Sequence, residues 1–284
     1  MSWRTGWSAK CPPRAAWCQT YERGSMTMPG HAMVLAAGLG LRMRPLTKRT
    51  PKPLIPVAGR SMLDRVFDRL DEAGVPNRVV NTHWLAGQIA RHLANHSGVI
   101  LSREEVLLET GGGVAHALPL LGAQPFFVCN ADIIWLDGAR PALIRLAEVW
   151  DTARMDALLL LEPVGRAFGY EGPGDFFRAD DGRLQRRGDA STAPFVFTGV
   201  QILHPRLFAD APDGEFSLNI LYDRAQATRR LCGLVHDGDW LHIGTPETLT
   251  AAESWFAARE DRVESFGVAV LPGDKRPLRQ PPIG

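Results

Sequence analysis

Three short stretches of this sequence carry side chains able to act together on a polyphosphate: residues 35–47, a lysine fenced by prolines at 51–54, and an Asn-Ala-Asp step at 130–132. In the first, Leu35, Ala36 and Ala37 lead into Gly38, Gly40, Leu41, Arg42 and Arg44. Glycines after an apolar run let the backbone approach a ligand closely, and consecutive N–H groups there form an anion-binding nest. Arg42, Arg44 and Lys52 add fixed positive charge. Pro51 and Pro53 restrict their own φ and the residue before them, so Lys52 is expected on a stiff, extended segment. Asp132 offers an oxygen ligand to a hard cation, and Asn130 is placed to meet a sugar or ribose from the same strand end. Taken singly, each has an ordinary explanation, since glycines mark turns and a strand-end aspartate commonly caps one. Two competing glycine motifs are excluded. A dinucleotide fingerprint requires glycine where Met43 stands, and the P-loop pattern is absent.

Hydrophobic periodicity supplies the elements that must hold these residues. Residues 32–37 form a short apolar run bounded by glycine, which reads as a buried strand opening into the glycine loop. From Ser61, apolar Leu63, Val66, Phe67 and Leu70 recur at helical spacing until Gly74, with Ser61 as cap and Asp64 three residues on. Residues 78–81 read as a second strand, 85–94 as a helix and 99–101 as a third strand. The glycines at 111–113 lead into a helical stretch through Leu121, and 126–129 form an apolar strand ending in Asn130. The alternation continues through 139–149 and 157–161. It predicts an α/β fold, a Rossmann-like mostly parallel sheet sandwiched by helices. Ligands of such sheets sit beyond the carboxyl ends of the strands, where residues 38–52, 109–113 and 130–132 all fall. The second half predicts a small antiparallel addition, from 175–178, the turn 180–182 and 195–203, before helices near 218–229 and 246–259. No internal repeat is visible.

The 284 residues, 45% of them hydrophobic, suffice for a sizeable core. Lys plus Arg number 32 against 31 Asp plus Glu, a net charge of +1, so no global field draws the chain to nucleic acid or membrane. No apolar run approaches the roughly 20 residues of a membrane span. Cys11, Cys18, Cys129 and Cys232 lack paired metal or redox spacing, which fits a reducing, cytoplasmic setting. Residues 1–29 are expected to be a disordered leader, with Met26 or Met28 as a candidate start, residues 30–262 the catalytic domain, and 263–284 an irregular tail.

The string Gly38-x-Gly40-x-Arg42, followed by Pro45-Leu46-Thr47 and Pro51-Lys52-Pro53-Leu54, resembles the signature of the sugar nucleotidyltransferases, and the resemblance extends over roughly residues 32–258. Through Leu108-Glu109-Thr110-Gly111-Gly112-Gly113 and Gly174-Asp175-Phe176 the chain looks most like the N-acetylmuramate 1-phosphate uridylyltransferases of cell-wall recycling. The resemblance implies transfer of a nucleotidyl group, with UTP the favoured donor, to a sugar 1-phosphate. It implies that the glycine loop and Arg42 grip the triphosphate, that Lys52 supports charge during transfer, and that Glu109, Gly112 and Gly113 lie against the nucleotide. It places Glu162, Gly174, Asp175 and Thr198 along the sugar phosphate, and Asp132 on Mg²⁺, with Mn²⁺ the alternative ion. Relatives carry W-x-D-x-G-T where this chain has Trp240-Leu241-His242-Ile243-Gly244-Thr245, so His242 stands at a second metal position, and imidazole is a poor Mg²⁺ ligand. Asp239 is no easy substitute, because strand alternation turns it to the opposite face. A monomer or homodimer is expected. A guanylyl- or cytidylyltransferase of the same class, or a non-catalytic nucleotide-binding module, are the alternatives.

Overall fold

The structure, a computed structural model, describes residues 28–265; the expectations for residues 1–27 and 266–284 lie outside them. A glycine-bounded apolar run forms β1 (His31–Leu35) at the centre of the main sheet. Around it lie β4 (Asn77–Thr82), β5 (Val99–Arg103), β6 (Phe126–Asn130), β8 (Ala157–Pro163), β11 (Phe195–Leu203) and β12 (Leu231–Val235). β1 pairs in parallel with β4 and β6, and β4 with β5. β11 is antiparallel to both β6 and β8, and β12 returns parallel to β8. Only β11 therefore runs against the rest of this sheet core. The hairpin of β9 (Phe176–Arg178) and β10 (Leu184–Arg186) hangs from β11 as the small antiparallel addition. A two-residue pair, β2 (Pro56–Val57) and β3 (Arg60–Ser61), precedes the first helix. β7 (Ile133–Leu136) and β13 (Asp239–His242) form a separate antiparallel ribbon.

Strand alternation sends neighbouring residues of β1 to opposite faces, Ala32 and Val34 to one core and Met33 to the other. The first core is covered by α1 (Met62–Glu72), α2 (Ala86–Leu93) and α4 (Ala142–Val149), the second by α3 (Glu109–Leu121) and α5 (Asn219–Ala227). A third cluster, with Met43, Ile134, Leu241 and Ile243, lies beneath α6 (Pro246–Ser265). That helix runs three residues past the expected boundary at 262, because no glycine or proline interrupts it before Gly267. Ser61 caps α1 as its spacing predicts, its Oγ accepting from Asp64 N–H at 3.0 Å.

The glycines at 111–113 do not precede the helix but lie inside it. A Cβ on Gly112 would sit 2.1 Å from the carbonyl oxygen of Gly214, and one on Gly111 2.3 Å from the Phe216 ring. The 214–216 loop is hydrogen-bonded onto this turn, with Gly111 and Gly112 N–H both donating to Phe216 O. Close packing accounts for the triplet.

Candidate active site

β1 stops at Leu35, and the chain turns out of the sheet into residues 36–50. Gly40 adopts φ +60°, and a Cβ there would lie 2.8 Å from Thr47 Cγ2 and 3.2 Å from Lys52 Cβ, so only glycine lets the loop fold back on itself. Thr47 Oγ donates to Gly40 O at 2.8 Å. Trp84 Nε1 and Gln88 Nε2 hold the outer turn through the carbonyls of Thr47 and Arg49. Among the described residues, the N–H groups of residues 38–42 have no protein acceptor. They remain available to an anion, as a nest requires.

Lys52 opens a short 3₁₀ turn, Lys52–Leu54, rather than continuing an extended segment: Pro51 is extended, but Leu54 N–H bonds back to Pro51 O. The turn tucks the lysine stem inward, leaving the residue 6% exposed. Its Nζ lies 2.7 Å from Oδ2 of Asp132, two residues beyond the end of β6. The two charges, eighty positions apart in sequence, share the wall of a cavity of about 650 Å³. Leu35, Ala36, Ala37, Gly38, Gly40, Leu41, Arg42, Glu109 and Asn130 line the same cavity.

Other expected residues lie elsewhere. Gly112 and Gly113 are buried in α3 and do not line this cavity, because the turn that carries them packs on Gly214 and on the Asn81 and Glu104 side chains. Thr198 is fully buried; its hydroxyl donates to Leu160 O and accepts from Val200 N–H, closing the irregularity in β11, so it is committed to the backbone. Glu162 is fully buried with neither carboxylate oxygen hydrogen-bonded, and it lines neither this cavity nor the one beside Asp175. Gly174 and Asp175 line that second cavity, of about 640 Å³.

Burial pushes the Glu162 carboxyl up to about 7, with Arg166 Nε 3.4 Å away opposing the rise and Asp239 adding to it. A raised carboxyl pKa means the folded protein holds a proton that the unfolded chain releases above its ordinary value of 4.5. The unfolding free energy is therefore expected to fall as pH rises from about 4.5 to about 7 and then to level. Glu162→Gln should flatten that slope in urea melts across the window.

His242 stands beside the Lys52–Asp132 pair. A Cβ on Gly244 would lie 2.8 Å from His242 Nε2 and 3.3 Å from Arg42 Nη1, so imidazole and guanidinium converge over this glycine. Burial lowers the imidazole pKa first, Lys52 and Arg42 lower it further, and Asp132 opposes them. Asp239, on the opposite strand face as expected, pairs instead with Arg259 at 2.6 Å.

Sequence reading missed the support behind the loop. Ala36 N–H donates to Asn81 Oδ1 at 2.7 Å, Asn81 Nδ2 donates to Glu104 Oε1 at 2.7 Å, and Glu104 Oε2 accepts from Leu108 N–H at 3.0 Å. Both side chains are buried, and they tie the end of β1 to the segment leading into α3. An asparagine and a glutamate at the carboxyl ends of β4 and β5 were the available signal. Asn81 also lines the cavity, as do Met43, Pro53, Leu107, Thr110, Ser217 and Gly244.

A mostly parallel sheet with helices on both faces, and a free-amide loop, lysine and carboxylate gathered at its carboxyl edge, is the architecture of nucleotide-binding α/β proteins. A more particular assignment comes from family comparison: residues 32–205 match the MobA-like NTP transferase domain, and the chain belongs to that nucleotidyltransferase family. It is 44% identical over 236 residues to N-acetylmuramate alpha-1-phosphate uridylyltransferase of Caulobacter vibrioides, covering 81% of this chain and 98% of the relative. The enzyme of the same description from Neisseria meningitidis is 34% identical over 78% of this chain and 96% of its own length. The fold matches a crystal structure of UDP-glucose pyrophosphorylase complexed with UDP-glucose, with TM-score 0.67, 17% identity and coverage of 81% of this chain and 98% of that one.

Proposed function

We propose that this enzyme transfers the uridylyl group of UTP to N-acetylmuramate 1-phosphate, releasing pyrophosphate, in the cytoplasmic recycling of cell-wall sugars. The observation that carries the reading is the buried Lys52 ammonium paired with Asp132 on the wall of a cavity bordered by free loop amides. The relatives' activities supply the base and the sugar. The attacking group is an acceptor phosphate oxygen that is already anionic, so no general base or covalent side chain is needed. That oxygen bonds to the α-phosphorus as the bond to the bridging oxygen breaks, and pyrophosphate leaves with the electron pair. Alignment and charge neutralisation do the catalysis. The amides of residues 38–42 and Arg42 hold the triphosphate, Lys52 meets charge developing between the α-phosphate and the leaving group, and Asn130 faces the sugar or ribose.

Among the described residues, no group of three or more His, Cys, Asp or Glu side chains forms a metal cage. The site nevertheless fits Mg²⁺, which is characteristically held by one or two carboxylates together with substrate phosphates and water. Asp132 commits only Oδ2 to Lys52, so its other oxygen remains for the ion. When bound, the ion neutralises phosphate charge. His242, kept neutral beside two cations, adds little to it. His242→Asp is expected to lower the half-saturating Mg²⁺ concentration roughly tenfold or more, since one added charge near a cation contributes on the order of 1–4 kcal/mol. A metal titration of activity measures this.

The decisive experiment is a pyrophosphate-release screen over four nucleoside triphosphates and a panel of sugar 1-phosphates. Highest kcat/KM for UTP with N-acetylmuramate 1-phosphate supports the proposal. Preference for another pair reassigns the substrates, and nucleotide binding without turnover at any Mg²⁺ or Mn²⁺ concentration overturns catalysis.

A further inference from the structure

The second cavity has chemistry suited to a sugar, with carboxylate, amide and guanidinium groups beside aromatic Phe197 and Tyr222. It adjoins the first: Ser217 lines one, Asn219 lines the other, and Asn219 N–H donates to Ser217 Oγ at 3.3 Å. Two arginines share its wall in different states. Arg186 lies 3.4 Å from the Asp223 carboxylate and so arrives with its charge already met. Arg187 donates only to backbone carbonyls: Nε to Gly174 O at 3.1 Å, and Nη1 to Ala190 O at 2.7 Å and Gly188 O at 3.3 Å. The nearby Asp175 carboxylate is turned onto Phe197 N–H at 2.9 Å instead. Among the described residues, Arg187 Nη2 has no partner and no acid pairs with its charge. Three carbonyls thus fix a planar cation at the cavity wall with Nη2 left to donate, a charge-assisted donor suited to a carboxylate oxygen.

We infer that Arg187 is the specificity residue for an acidic sugar, receiving the carboxylate of the lactyl ether that distinguishes N-acetylmuramate from N-acetylglucosamine. This rests on the acceptor proposed above and adds the group that selects it. Arg187 stabilises sugar binding rather than the reacting phosphates, so its loss appears in KM for the acidic acceptor and not in kcat.

The test titrates the full-length protein with free N-acetylmuramate and with N-acetylglucosamine, following ligand binding by NMR, in the native chain, Arg187→Gln and Arg187→Lys. The glutamine keeps an amide donor for the loop carbonyls but no charge. The native protein should bind the acidic sugar about tenfold more tightly than the neutral one, the scale of one charge-assisted hydrogen bond. Arg187→Gln should lose that preference with affinity for the neutral sugar unchanged, and Arg187→Lys should retain part of it. Equal or undetectable binding of the two sugars by the native protein, an undiminished preference in Arg187→Gln, or equal weakening of both sugars there overturns the inference. Should the preference hold while uridylyl transfer fails, the functional reading falls and the subsite stands.

Discussion

Lys52→Met is expected to lower kcat for pyrophosphate release by about 10²- to 10³-fold, the usual cost of removing one preorganised donor from a developing charge. The effect is large because the ammonium is buried and fixed. At 6% exposure it is little screened by solvent, and its 2.7 Å contact with Asp132 holds its position before substrate arrives. Methionine keeps the buried stem and removes only the charge. The abandoned Asp132 carboxylate is 40% exposed in its side chain and can be hydrated, so the unfolding midpoint should move little. Steady-state kinetics alongside a thermal melt separate the two effects. A kcat within threefold of the unmodified enzyme, with the melt unchanged, would remove Lys52 from the chemistry.

The second large effect concerns packing. Gly112→Ala places a methyl group 2.1 Å from the carbonyl oxygen of Gly214, which is backbone and cannot rotate away. Overpacking of this kind costs typically 1–3 kcal/mol, and the upper end, about 3 kcal/mol, is expected because the 214–216 loop is also hydrogen-bonded to the first turn of α3. For a domain of this size that lowers the unfolding midpoint by about 6–12 °C. Activity should fall with it even below the melt, since Glu109 and Thr110 of the same turn line the cavity. Calorimetry and kinetics at 20 °C read both. A midpoint within 2 °C of the parent would mean that the loop yields freely.

The strand-loop-helix start of the chain was legible because its signals are local. The apolar run of β1, the Ser61 cap and the stripe of α1 lie within a few residues of what they specify, and glycine at position 40 marks the turn; the 3₁₀ turn at Lys52, expected as an extended segment, was not legible. The meeting of Lys52 with Asp132 was legible too, since both fall where the carboxyl ends of the strands gather ligands, and the pairing of β1 with β6 brings those ends side by side. The packing of Gly111 and Gly112 was not, because the 214–216 loop they meet lies far along the chain. The burial of Glu162 and Thr198 was not legible for a related reason. Resemblance aligns positions along a strand, but burial of their side chains follows from the pairing of β8 with β11 and from an irregularity in that pairing. The Asn81–Glu104 link depends on β4 and β5 lying in parallel register, a tertiary fact with no local pattern.

The ribbon of β7 and β13 sets His242 opposite Ile133, the neighbour of Asp132. His242 and the residue next to Asp132 are thus stitched by one ladder whose backbone bonds ignore side-chain identity. The spacing between them is inherited from the weave and not negotiated by the residues themselves. Exchange at 242 therefore alters the charge beside Lys52 and Asp132 while leaving the backbone frame untouched.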